Sequence, residues 1–262
     1  MRLIERATLV RSLVSFSLLQ ALPRALPAQA EETVGPASNF NRLQTGKPRP
    51  ETGCILVEEV QSSGSAKSPT ISAELVTNGG VAATVAFDSP WPLARGMYYD
   101  VEGRSSDGDS AYVHVRTLPA DKDVTSVSAG YLTSSVFNQY GRWSTYGQPT
   151  DTKVLSDMTK GQTRFIEVAF SVLSQAGSDS PRRGLIAAVQ PKGSSDCVML
   201  VSSATSSRWR KSGADAAARQ AAESFRVVST RATKNSRAAA TDYRFQELDG
   251  LVKGTGDTVE IF

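Results

Sequence analysis

Histidine occurs once in these 262 residues and cysteine twice, so the residue types that most often hold transition metals or act as nucleophile and base are nearly missing. Cys54 and Cys197 lie far apart and match no zinc or redox spacing such as C-x-x-C. They are read as small apolar strand residues, with a disulfide between them as the alternative in an oxidising compartment. There is no G-x-S-x-G, S-x-x-K, H-E-x-x-H, Walker A loop or dinucleotide fingerprint, and Gly254-x-Gly256 lacks the third glycine. Nor is there an N-x-S/T acceptor, which leans away from a glycosylated secreted product. No run reaches the roughly 18 apolar residues that a membrane-spanning helix needs.

Charge of one sign is also lacking. The formal net charge is +3, and Arg2, Arg6, Arg11 and Arg24 against Glu5 already account for it. The rest is near neutral, so a general nucleic-acid-binding role loses its support.

What the first thirty residues do hold is a basic start, the short apolar stretch Leu13 to Leu19, and then Pro23 and Ala28-Gln29-Ala30. That order reads as a cleavable export segment over residues 1–30, with a mature chain beginning near Glu31. A secretory signal and the lumen-targeting half of a plastid bipartite sequence share the pattern. Residues 31–70 follow as an extended leader, rich in Pro, Gly, Asn and charge over its first twenty positions. Within it Cys54 to Val60 reads as a strand and Ser62 to Pro69 as a flexible Ser/Gly link.

Beyond residue 70 the pattern is mostly of period two. Ile71 to Val76 and Val81 to Phe87 flank Asn78-Gly79-Gly80, a hairpin signal. Met97 to Val101 and Ala111 to Leu118 form the next pair, around the turn-rich Ser105 to Asp109. The period changes at Val124, Val127, Tyr131 and Leu132, giving a helix to about Phe137, capped by Asp121 or Asp123. A loop runs from Asn138 to Pro149. Four β runs follow, at Thr152 to Met158, Arg164 to Leu173, Gly184 to Val189 and Cys197 to Ala204. Their short Gly-containing connections leave no room for parallel crossovers and predict an antiparallel meander. A second helix spans about Gly213 to Phe225, with Ala214, Ala218, Ala221 and Phe225 on one face. The fold class is α+β, a segregated sandwich with an antiparallel sheet of about six strands flanked by helices. The domain is expected over residues 71–228, with a C-terminal extension over 229–262.

Three sets of residues are candidates for chemistry. His114 shares a strand face with Tyr112 and Arg116, opposite Val113 and Val115, which predicts a solvent-side position. Asp107 and Asp109, with Asp100 and Glu102 on the preceding strand, gather oxygens suited to a hard cation such as Ca²⁺. An EF-hand is excluded, because the twelfth position from Asp107 is Leu118. From Ser206 to Ala240, eight Arg or Lys face only Asp215 and Glu223. Arg208, Arg210 and Lys211, with Arg182 and Arg183 brought near by the meander, make a face that can dock on an acidic protein or anionic lipid surface. No tightly bound cofactor is expected.

Gly184-Leu185-Ile186-Ala187-Ala188, Cys197 to Val201, Ser207-Arg208-Trp209-Arg210-Lys211 and Ala221 to Val227 together resemble the carboxyl half of the PsbP family. In that family a terminal strand runs into an Arg-Trp pair and then a helix ending in Ser-Phe. Tyr98 to Val101, and Tyr131-Leu132 through Gly147 to Thr150, are similar to the corresponding strand, helix and loop. The resemblance covers roughly residues 80 to 228 and points to a PsbP-like paralogue of an alga. It implies an α/β/α sandwich with helices on both faces of the sheet, and a chloroplast thylakoid lumen location peripheral to the membrane. It also implies work as a non-catalytic extrinsic protein of the oxygen-evolving complex of photosystem II, partnered by lumenal subunits. A role in retaining Ca²⁺ and Cl⁻ can accompany it. The amino-terminal segment that PsbP uses on the reaction centre has no counterpart in Glu31 through Ile71, and a metal-associated histidine of some members is not matched. Trp209 is expected to pack where the last strand meets the helix, with Arg208 held by the sheet edge or a carboxylate and Phe225 filling the helix end. The alternatives are a photosystem assembly factor, a free lumenal domain binding a metal or small molecule, and a hydrolase or isomerase using His114.

Overall fold

The computed structural model describes residues 52–57, 60–65, 67–77, 81–95 and 101–230. The chain divides into Met1–Gly35 and Pro36–Phe262, and everything described below belongs to the second unit. The expected export segment, Glu31 through Glu51, Met97 through Asp100 and the extension beyond Thr230 lie outside the described residues.

Alternation of apolar and polar residues builds the first sheet. In β2 (Ser68–Val76) Ile71, Ala73 and Leu75 are buried between half-buried Ser72 and Glu74. In β3 (Ala82–Asp88) Ala83, Val85 and Phe87 do the same. The two pair antiparallel with Ile71 opposite Phe87 and Ala73 opposite Val85, so the hairpin expectation holds. β1 (Gln61–Ser65) pairs antiparallel with β2, which corrects the flexible-link reading of Ser62 to Pro69. Among the described residues of the segment before it, Leu56 makes one isolated bridge to Leu75, and the Val57 N–H donates to the Glu74 carbonyl at 3.0 Å. The fourth strand comes from the far end of the domain. β10 (Arg226–Ser229) pairs with β3, giving the order β1-β2-β3-β10.

The second sheet has six strands, all antiparallel, in the order β4-β5-β9-β8-β7-β6. They are β4 (Glu102–Arg104), β5 (Ser110–Thr117), β6 (Thr150–Lys160), β7 (Thr163–Leu173), β8 (Asp179–Val189) and β9 (Asp196–Thr205). β6 to β9 form the expected meander. At the β6–β7 turn Gly161 has φ +63°, a left-handed conformation that glycine adopts without steric cost. Gly184 answers a different need: a Cβ there would sit 2.9 Å from the Ser202 carbonyl oxygen and against Val168 and Phe170. Substitution at Gly184 would force two strands apart.

Helices cover both faces of the six-stranded sheet. On one face α3 (Ala214–Ser224) buries Ala214, Ala218, Ala221 and Ala222, small side chains that let its backbone lie close to the strands. That core joins Val113, Leu185, Ala187, Val198 and Leu200 to Ile71, Val85 and Phe87 of the first sheet. On the opposite face α1 (Ala129–Val136) sets Leu132 and Val136 against Ile166, Ile186, Met199 and Val201. The helix starts five residues later than Val124, because Ser128 is its N-cap, accepting from the Tyr131 N–H. Asp123 instead holds the turn before it, its Oδ1 accepting from the N–H groups of Thr125 (2.9 Å) and Ser126 (2.7 Å). Arg164 ties that turn to the sheet through the carbonyls of Val124 (2.8 Å) and Val127 (2.6 Å) and pairs with Asp157.

These donors make a testable prediction at Asp123. The Thr125 hydroxyl, donating to Oδ1 at 2.7 Å, lowers the carboxyl most, and with the Ser126 N–H brings it from 3.8 to about 2. A depressed folded-state value stabilises the fold above the unfolded carboxyl range and is lost as pH falls toward about 2. Asp157, lowered by its Arg164 hydrogen bonds, works in the same direction. Carboxyl-detected NMR titration should therefore place the Asp123 midpoint near 2, and an unshifted midpoint would refute the turn.

The cysteines settle on opposite faces, Cys54 in the first core and Cys197 in the second, and no disulfide joins them. The sheet itself separates them. Burial, with Asp196 adjacent, pushes the Cys197 thiol up to about 12, so it stays protonated at neutral pH. Among the described residues no helix is long and apolar enough to cross a membrane.

Candidate functional site

At the β4 edge of the six-stranded sheet, strand ends and a loop bring four arginines and three carboxylates together. β4 supplies Glu102 and Arg104, and the β4–β5 tip supplies Asp107 and Asp109. β9 runs directly into the short helix α2 (Ser206–Lys211), which projects Arg208 back over that tip. Arg208 Nε lies 3.1 and 3.0 Å from the two Asp109 oxygens, while its Nη2 reaches Asp109 at 2.9 Å and Asp107 at 3.0 Å. Asp109 is 2% exposed, so its charge is buried and bidentately paired, the strong form of such a contact.

Behind this pair lies Arg182 of β8. Its Nε donates to Ser203 Oγ at 2.9 Å, its Nη2 donates to the Gly108 carbonyl at 3.1 Å, and the Trp143 ring lies 4.7 Å from Cζ. Burial, with Arg104 nearby and Asp109 opposing, pushes the guanidinium down to about 10, which still leaves it charged at neutral pH. Trp143 stands 5.6 Å from Phe170 and 6.0 Å from Tyr112, wedged between the aromatic core and the charges. Burial and the charge of Glu102 raise the Tyr112 hydroxyl above its usual range, so it stays neutral. From the same loop Arg142 Nη2 meets Glu102 Oε2 at 2.6 Å, with Arg104 3.6 Å from the other oxygen.

Four guanidiniums thus meet three carboxylates, leaving one positive charge in excess. Arg104 and Asp107 are the exposed rim with half-buried Arg208 beside them, and Glu102, Asp109 and Arg182 the buried floor. Such a constellation locks a loop, a hairpin tip and a helix onto one sheet end, and presents alternating charge to whatever docks there.

The sequence candidates fare unequally. Asp107 and Asp109 are together, but Arg208 fills their oxygens, and a cation would have to displace it. Among the described residues no three His, Cys, Asp or Glu side chains cluster as metal ligands. Arg182 is only 8% exposed, which takes it off the expected docking face, and Arg208 is held by the aspartates, the carboxylate contact expected for it; each is a structural element of the cluster. Arg183 pairs with Glu167 at 3.6 Å, shared with Arg219 at 3.0 Å. Arg210 and Lys211 are exposed and stay available to a partner. Trp209 and Phe225 sit in the first core. His114 is 4% exposed, which corrects its solvent-side placement: the face it shares with Tyr112 is covered by the α1 layer. Arg142, Trp143 and Tyr112 were not among the expected site residues. The Arg142-Trp143 dipeptide, a second copy of the Arg208-Trp209 pair, was the available signal.

Fold and site together define an antiparallel α+β domain with a charged seam at one sheet edge. No family model and no curated protein matches the chain. Among solved structures it is similar to the solution structure of cyanobacterial PsbP (CyanoP) from Synechocystis sp. PCC 6803, at 16% identity and a TM-score of 0.39 over 63% of this chain and 94% of that one. At that overlap the comparison adds nothing to what the chain's own residues say.

Proposed function

We propose that the chain is a non-catalytic extrinsic protein of the chloroplast thylakoid lumen that associates with the lumenal side of photosystem II, in or near the oxygen-evolving complex. The observation that carries this reading is the unit formed by the residues of the PsbP resemblance. Arg208 reaches back to Asp109, Trp209 and Phe225 enter one core, and the alanine face of α3 lies between them. The export-type leader supports the compartment. Arg210 and Lys211, exposed beside the rim formed by Arg104, Asp107 and Arg208, suit an acidic lumenal surface. Contact of that kind weakens as salt rises, since exposed charges are screened within about 8 Å at physiological ionic strength.

Salt washing of isolated thylakoids tests the reading. The protein is expected to leave the membrane in high salt and to be held at low salt, and Arg210→Glu with Lys211→Glu should release it at lower salt than the wild type. Recovery from the stroma would refute the location. Affinity capture from solubilised thylakoids then identifies the complex: mature photosystem II subunits support an extrinsic role, and assembly intermediates support an assembly factor.

A further inference from the structure

One guanidinium of the charged seam touches no carboxylate. Arg208 is held by Asp107 and Asp109, and Arg142 and Arg104 share Glu102. Arg182 instead gives its Nε and Nη2 to Ser203 Oγ and the Gly108 carbonyl, both neutral groups, and Asp109 opposes it only at longer range. At 8% exposure it is a buried cation with little water around it, which is costly unless an opposite charge stands close.

Two further donors belong to the same place. The Trp143 ring lies 4.7 Å from Arg182 Cζ and 6.0 Å from the Tyr112 ring. Tyr112 Oη and Trp143 Nε1 are both buried, and neither makes a full hydrogen bond to a protein group among the described residues. They are near each other, since the indole N–H works against burial and Glu102 in setting the Tyr112 hydroxyl. Tyr112 is 2% exposed, and a donor buried that far without an acceptor calls for a ligand. An indole N–H and a guanidinium only donate, and a phenol donates as readily as it accepts, so the missing group is an acceptor. Glu102, the carboxylate beside Tyr112, has its charge taken up by Arg142 at 2.6 Å. The seam keeps one positive charge in excess, which a single negative charge cancels, and enclosure by Trp143 and Phe170 restricts it to an ion of few atoms.

We infer that Arg182, Tyr112 and Trp143 form a binding site for a small monovalent inorganic anion of the halide class, seated between the guanidinium and the two orphaned donors. The site is independent of the compartment and partner proposed above. The full-length chain, titrated with sodium chloride against sodium gluconate at constant ionic strength, should show a saturable excess chlorine NMR line width, displaced by bromide, with a Kd on the order of millimolar. Tyr112→Phe removes one donor and keeps the ring, and should weaken binding by about tenfold, the usual loss for a hydrogen bond to a charged group. Arg182→Met should abolish binding in a chain whose fold is confirmed by circular dichroism; where it fails to fold, Tyr112→Phe carries the test. Lys192→Glu, which alters charge at an exposed position of the β8–β9 turn, should leave Kd unchanged. A wild-type line width that grows only linearly with chloride, a Tyr112→Phe chain that binds as tightly as wild type, or a Lys192→Glu chain that loses binding each overturns the inference.

Discussion

Replacing Trp209 with Ala should cost about 3–5 kcal/mol, the usual range for emptying a buried indole site. In a domain of this size that lowers the melting temperature by roughly 10 °C. Trp209 is 6% exposed and is the buried residue of α2, a helix of six residues whose N-cap, Thr205, caps no backbone N–H with its side chain. A helix so short has almost no stability of its own and depends on that anchor. The loss should also reach the charged seam, since Arg208 owes its aim at Asp109 to the same turn. Calorimetric melting of Trp209→Ala beside Trp209→Phe checks both points. The phenylalanine variant is expected to recover most of the stability, and an unchanged melting temperature in the alanine variant would remove the residue from the core.

Glu102→Ala is expected to be of similar size, about 3–5 kcal/mol, by a different route. Its side chain is 2% exposed, and deleting it leaves the Arg142 guanidinium, 17% exposed, without the carboxylate at 2.6 Å. An uncompensated charge in a water-poor site costs more than the pair gains by being there. It follows that Glu102→Met combined with Arg142→Met should be less destabilising than Glu102→Ala alone. Urea unfolding of the two variants measures the difference, and a double variant worse than the single one would show that Arg142 reaches solvent easily when unpaired.

The meander and the alanine-faced helix were legible because their signals are local. β7 alternates buried Ile166, Val168 and Phe170 with half-buried neighbours, and α3 repeats alanine at helical spacing. β1 carries Gln-Ser-Ser-Gly-Ser, with no apolar residue to mark it, and exists through its ladder with β2. α2, reading Ser-Ser-Arg-Trp-Arg-Lys, has one buried side chain and no periodicity to detect. His114 shows a subtler failure. The alternation correctly grouped it with Tyr112, but in a sheet covered on both faces alternation separates two interiors instead of inside from outside. The charged seam was the least visible of all, because Asp109 and Arg208 lie 99 positions apart and either alone reads as a solvated surface residue. Period and turn chemistry report neighbours in sequence, and the seam is made by topology.

The pairing of Val227 with Val85 means that the first sheet is seamed by residues from opposite ends of the domain. Its last ladder cannot form until the ribosome has released residues near 229. Non-local ladders of this kind form slowly, because the intervening chain must lose its freedom before the contacts reward it. Until then β3 keeps a bare edge, so a chain still being made stays pliable, and β10 is the latch that ends that state.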